Sequence, residues 1–156
     1  MISKSKAIIL AADDDQDDCQ TIKEAFKESQ LLNEIHFVSN GEELLNYLNR
    51  KGKFKDQKKY PFPGLILLDL KMPKIDGCEA LLEIKKSPKL NHIPVVVLTT
   101  STEEEDILRT YSLGVNSYIT KPNTFDSLVQ ILKDIGHYWF NTVQLPAPQI
   151  IIRNEF

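Results

Sequence analysis

Nowhere does the chain hold 18 consecutive apolar residues, so no segment reads as a membrane-spanning helix. The opening Met1-Ile2-Ser3-Lys4-Ser5-Lys6 leads straight into a short apolar run and lacks a signal-type hydrophobic region, so the expected location is cytoplasmic, with no membrane partner. Cysteine is scarce. Cys19 and Cys78 form no CxxC or metal-ligand spacing and sit at apolar-looking positions, which fits buried free thiols in a reducing compartment. An excess of positive charge is also missing: 19 Lys and Arg against 22 Asp and Glu leave a net charge of -3, which argues against nucleic acid as the main partner. There is no GxxxxGK[ST] loop to cradle a nucleotide. The three histidines, His36, His92 and His137, are scattered and read as surface or structural residues. Repeats and low-complexity segments are absent.

What is present is an ordinary globular composition, 42% hydrophobic and 26% charged over 156 residues, enough for one domain with an adequate core. Short β-type runs alternate with helical patterns. The runs are Ala7–Ala11, Ile35–Ser39, Leu65–Leu68, Val95–Thr99 and Ser117–Thr120, and most are continuously apolar, as strands covered on both faces are. Between them, Cys19, Ile22, Ala25 and Phe26 form one helical stripe, Leu44, Leu45 and Leu48 a second, and Leu81, Leu82 and Ile84 a third. Thr102-Glu103-Glu104-Glu105 has capping-box spacing and predicts a fourth helix ending at Gly114. Phe125, Leu128, Leu132, Ile135 and Trp139 mark a fifth, with Ile131 and Tyr138 widening its apolar face.

Five β-α units in series predict an α/β fold with a doubly wound parallel sheet and helices on both faces. In such sheets functional residues gather at the C-terminal strand ends. The residues found there are chemically coherent. Asp13-Asp14-Asp15 and Asp17-Asp18 follow the first strand. Capping and the helix dipole account for Asp15, Asp17 and Asp18, whereas Asp13 and Asp14 come early enough to face the crevice. Asp69 directly follows Leu65-Ile66-Leu67-Leu68, where a carboxylate beside two other acids calls for a cation. Oxygen ligands from Asp14, Asp69, a backbone carbonyl and water suit Mg²⁺, and the lack of nearby His or Cys argues against zinc. Thr99 and Thr100 bring hydroxyls to the next strand end, and Lys121 brings a point charge to the last. Lys121-Pro122 is an X-Pro bond in a sharp turn, where a cis peptide could fix the lysine's approach.

These residues resemble the receiver domain of two-component response regulators over about residues 5–140, with 141–156 as a C-terminal extension. The resemblance implies a flavodoxin-like five-stranded sheet of order 2-1-3-4-5. It implies that Asp13 and Asp14 bind metal, that Asp69 is the phosphoacceptor, and that Lys71 lends a backbone carbonyl to Mg²⁺. Asp69-Leu70-Lys71-Met72-Pro73 and Asp76-Gly77 match the family's loop after the third strand. Thr99 is then the switch hydroxyl, Thr100 governs access, Tyr118 is the aromatic that changes rotamer, and Lys121-Pro122 is the family's lysine with its cis-proline. The lengthened segment Lys51–Gly64, the run Val97-Leu98-Thr99-Thr100-Ser101 and the Tyr138-Trp139 to Leu145-Pro146 ending are similar to phytochrome-associated single-domain regulators. That narrower likeness implies a homodimer through the C-terminal face and includes a phytochrome-type enzyme among the sensor histidine kinases that would serve it. The downstream protein is unknown. Such a protein is a switch with self-directed chemistry, not an enzyme acting on a small substrate.

Other readings fare less well. A flavodoxin-type FMN protein would not place Asp13-Asp14-Asp15 where phosphate must sit. An aspartyl phosphatase would want an acid two residues beyond Asp69, where Lys71 stands. A pseudo-receiver that only binds proteins would need a broken site, and none of the five key positions is broken. The basic run Lys51–Lys59 reads as a solvated loop rather than a nucleic-acid contact, and sixteen residues after Phe140 are too few for a helix-turn-helix output domain. The tail from Leu145 to Ile152 holds two prolines and three isoleucines, and is expected to dock on its own domain or a second subunit.

Overall fold

The computed structural model describes residues 7–146. Five strands, β1 (Ile9–Ala12), β2 (Ile35–Val38), β3 (Leu65–Leu68), β4 (Val95–Thr99) and β5 (Ser117–Thr120), alternate with α1 (Gln16–Glu28), α2 (Gly41–Leu48), α3 (Gly77–Lys86), α4 (Glu104–Ser112) and α5 (Phe125–His137). The sheet is parallel throughout, in the order β2-β1-β3-β4-β5. This is the doubly wound, flavodoxin-like arrangement.

Strand alternation divides the core in two. Leu10 and Ala12, Ile66 and Leu68, and Val95 and Val97 pack against α2 and α3. Ile9 and Ala11, Leu65 and Leu67, and Val96 and Leu98 pack against α1 and α5. Successive side chains of a strand leave on opposite faces, so a continuous apolar run is what two covered faces require. The central strands β1, β3 and β4 are buried along their whole length, whereas the edge strands β2 and β5 are mostly half-buried.

Three boundaries differ from expectation. β1 begins at Ile9 and runs to Ala12. β2 ends at Val38, because Ser39 turns out of the ladder and gives both its N–H and its hydroxyl to the Glu43 carboxylate, each at 2.9 Å. The capping box at Thr102 does not form. α4 starts at Glu104 with Glu103 as an N-cap that makes no side-chain bond. Ser101 occupies the turn instead, donating to Asp106 at 2.6 Å and accepting from the Glu103 N–H at 3.3 Å.

Gly114 ends α4 as expected, with φ of +103°. α5 buries Leu128, Val129, Leu132 and Ile135 but leaves Phe125 exposed. A π-helical turn, Tyr138–Thr142, then carries Phe140 into the core, with Trp139 and Leu145 packed beside it. The tail beyond Pro146 lies outside the described residues.

The segment before β3 is folded, not open. Phe54 is buried against Tyr47 and Tyr60, with ring centroids 5.2 and 5.0 Å away, and the Tyr47 hydroxyl donates to the Pro61 carbonyl at 2.7 Å. Lys51, Lys53, Lys55, Lys58 and Lys59 remain exposed around this aromatic anchor.

Candidate functional site

The sheet's hydrogen bonding continues one residue beyond three strands, and those residues build the site. Asp13 N–H donates to the Val38 carbonyl at 3.0 Å, Asp69 N–H to Ala12 at 3.0 Å, and Lys121 N–H to Thr99 at 2.7 Å. The backbones of both acids and the lysine are thereby fixed by the parallel ladder and not by a free loop.

Asp69 is the centre. It is buried, and its two oxygens have separate partners. Oδ1 accepts the Thr99 hydroxyl at 2.7 Å and the Lys71 N–H at 3.3 Å. Oδ2 accepts from Lys121 Nζ at 3.1 Å. Lys121 also reaches Asp13 at 2.6 Å and Asp18 at 2.8 Å. Asp13 is buried too, and its other oxygen accepts the Asp15 N–H at 3.0 Å.

α1 is anchored beside these acids by its cap. Asp15 accepts the N–H groups of Asp17 at 2.9 Å and Asp18 at 3.1 Å, the role expected of it from sequence. On the other side of Asp69, Gly77 N–H donates to the Leu70 carbonyl at 3.0 Å. A Cβ at Gly77 would run into the Asp69 carbonyl and lie 2.6 Å from Leu70 Cα, so glycine is what lets α3 start this close to Asp69.

Charge dominates the chemistry. Burial works against the Lys121 charge, but hydrogen bonds to Asp13 and Asp18 and the charges of Asp13 and Asp69 outweigh it, so its ammonium is held above the usual lysine range. Burial pushes the Asp13 carboxyl up; Lys121 and the Asp15 amide offset this in part, while the Asp69 charge adds to the rise. One oxygen each of Asp13, Asp14 and Asp69 lie within 4.8 Å of one another, with Asp14 exposed at the mouth. An all-oxygen, carboxylate-rich set suits a hard divalent cation such as Mg²⁺ and fits neither zinc nor a soft metal.

Residues 9–133 match the response regulator receiver domain. The chain is 39% identical over 145 residues to the response regulator Rcp1 of Synechocystis, covering 93% of this chain and 97% of that protein. Among solved structures, the phosphorylated cyanobacterial phytochrome response regulator RcpA is 42% identical, with a TM-score of 0.84 over 91% of this chain and 99% of that one. The Mn²⁺-bound form of Rcp1 is 40% identical, with a TM-score of 0.80 over 90% of this chain and 99% of that one. The chain belongs to the response regulator receiver family.

The structure brings Asp13, Asp69, Thr99 and Lys121 into contact and differs from the sequence-based expectation at two residues. Tyr118 is half-buried on β5, and its hydroxyl donates to the Ser101 carbonyl at 2.9 Å, tying it to the loop that follows Thr99. Burial, partly offset by that bond, pushes its phenol up. Thr100 is exposed at the rim. Lys71 contributes its amide to Asp69, a contact that the sequence does not reveal.

The first departure is Pro122. No cis peptide occurs among the described residues, so the Lys121-Pro122 bond of this receiver is trans. Trans is the lower-energy form by about 0.5–1 kcal/mol even before proline, and the Lys121–Thr99 backbone bond already fixes the approach of the lysine. The second is Asp18, for which capping and the helix dipole are a sufficient explanation in the sequence. Its carboxylate reaches Lys121, 103 residues away. Nothing in the local pattern separates it from Asp17, since both are acids in the first turn of α1. Cys19 lies close by, its thiol bonded to the Asp13 carbonyl at 3.4 Å; burial and the surrounding acids push it up to about 11, so it is a neutral thiol.

Proposed function

We propose that this receiver is a single-domain response regulator whose Asp69 accepts a phosphoryl group from the phosphohistidine of a sensor histidine kinase. The observation that carries the reading is the division of labour at Asp69: Thr99 on one oxygen, Lys121 on the other, and Asp13 and Asp14 close enough to share a cation. An Asp69 oxygen attacks phosphorus in line as the phosphorus–nitrogen bond to the donor imidazole breaks, and the electron pair leaves with the imidazole. The products are an acyl phosphate on Asp69 and a free histidine.

Asp13, Asp14 and Asp69, with the Lys71 backbone carbonyl, would hold Mg²⁺, which supplies charge neutralisation for the phosphoryl oxygens. Lys121 brings its ammonium to the same oxygens, and water later hydrolyses the acyl phosphate. Thr99 gives up its bond to Asp69 and donates to the phosphoryl group. Ser101 and Tyr118 follow, because the Tyr118 hydroxyl is bonded to the loop that Thr99 leads into. The face built from α4, β5 and α5 changes shape, and the output is a change in protein binding. Thr100, at the rim, sets access of water and donor. The protein acts as a switch with no turnover of a small substrate.

The likeness to RcpA and Rcp1 supports a phytochrome-type kinase as donor, a cytoplasmic location and a homodimer through the C-terminal face, with residues 5–140 as the receiver and 141–156 as its extension. The test is incubation with Mg²⁺ and acetyl phosphate, read by intact mass, with beryllofluoride as a parallel mimic read by Trp139 fluorescence. One added phosphoryl group, lost in Asp69→Asn and with EDTA, is the expected result. No modification and no beryllofluoride response would overturn the assignment of Asp69.

A further inference from the structure

We propose that Asp18 is a positioning residue: it holds the Lys121 ammonium in the resting site and competes with an incoming phosphoryl group for it. The proposal rests on the phosphoacceptor reading of Asp69.

An ammonium has three donors. Lys121 Nζ has three acceptors, at Asp13 (2.6 Å), Asp18 (2.8 Å) and Asp69 (3.1 Å). It is therefore saturated at rest, and a phosphoryl oxygen gains it only by displacing one of them. The three contacts are not equally easy to surrender. The side chains of Asp13 and Asp69 are 3% and 9% exposed, so releasing either leaves a buried carboxylate without that partner. The Asp18 side chain is 42% exposed, and water can replace the lysine there at little cost.

Asp18 also stands outside the group of acids whose oxygens converge, which is Asp13, Asp14 and Asp69. Its charge is directed at the lysine and not at a cation site. The Asp15 cap explains its backbone position, since Asp15 binds the Asp18 N–H, but a cap does not require the carboxylate to reach across to β5. Favour from the helix dipole would be satisfied equally by an acid pointing to solvent, as at exposed Asp17. The side chain therefore acts as a resting counter-ion, and its release accompanies capture of the phosphoryl group.

The experiment compares Asp18→Asn with Asp17→Asn, which removes the same charge one residue away. Beryllofluoride affinity is titrated at saturating Mg²⁺ in the full chain, and the ¹⁵Nζ shift of Lys121 is followed without any phosphoryl mimic. Asp18→Asn should tighten beryllofluoride binding roughly two- to five-fold and move the Lys121 ¹⁵Nζ signal, while Asp17→Asn does neither. Equal effects from the two variants would reduce Asp18 to general charge and overturn the proposal, as would weaker binding in Asp18→Asn or an unmoved Lys121 signal. Failure of the wild-type protein to bind beryllofluoride would overturn the phosphoacceptor reading itself, and with it this one, before any Asp18 variant is examined.

Discussion

Thr99 donates its hydroxyl to Asp69 Oδ1 at 2.7 Å from a position with no solvent exposure. In the proposed mechanism Thr99 is thus already engaged with Asp69 at rest, and its movement on phosphorylation would be an exchange of partners. Thr99→Ala removes a bond to a buried carboxylate and should lower stability by about 1–3 kcal/mol. Thr99→Ser keeps the donor and should recover most of that loss. Urea unfolding midpoints check the pair, and equal losses in both would show that the methyl group matters and the hydroxyl does not.

Lys121→Met leaves Asp13 and Asp69 buried without their cation. In EDTA the variant should lose about 3–5 kcal/mol. Mg²⁺ should restore much of it, and should raise the melting temperature of the variant more than that of the wild type, because the ion no longer competes with the ammonium. Thermal melts with and without Mg²⁺ decide this. A variant that Mg²⁺ stabilises no better than wild type would contradict the competition.

Gly77→Ala places a methyl group against the backbone of Asp69 and Leu70, which cannot step aside as a side-chain tip can. Overpacking of this kind costs about 1–3 kcal/mol. The displacement falls on Asp69, the proposed phosphoacceptor, so beryllofluoride affinity should drop as well. A variant that is destabilised yet binds beryllofluoride as tightly as wild type would mean that α3 shifts instead of the loop.

His92 has both ring nitrogens buried with no hydrogen-bond partner, and burial, reinforced by the Lys85 charge, holds it below the ordinary value of 6.5. As pH falls through 6.5 the unfolded chain takes up a proton at this residue and the folded chain does not. Stability is therefore lost as pH falls from 6.5 toward the lower folded value, and is retained above it. His92→Phe should flatten that part of the profile relative to wild type in urea midpoints between pH 7.5 and 5. Parallel profiles for the two proteins would show that His92 takes its proton equally in both states.

Much of the fold and site is legible in the sequence for identifiable reasons. β3, β4 and β5 fall at the expected residues because each is a short β-prone run with a polar residue at its C-terminal edge: Asp69 just after β3, Thr99 at the end of β4 and Thr120 at the end of β5. Asp13, Asp69, Thr99 and Lys121 could be found because a parallel sheet delivers the residues at its strand ends to one edge. What stayed hidden depends on distances between segments. Asp18 has a sufficient local explanation as a first-turn acid, so its reach to Lys121 left no trace in the pattern. Thr102 offered a capping box, but Ser101, bonded to both Asp106 and the Glu103 amide, displaced it. Phe54 lies in a lysine-rich run that reads as solvated, and its burial depends on Tyr47 and Tyr60, both of which lie outside that run.

The extra ladder bonds at Asp13, Asp69 and Lys121 make the site part of the sheet's cooperative unit. Local opening of loops cannot release these three amides, since each is bonded to a neighbouring strand or its end. Their hydrogen exchange should therefore be as slow as that of the central strands and should speed up only with global unfolding. A signalling site tied to the sheet in this way survives as long as the domain itself does, and any partial melting spares it until the end.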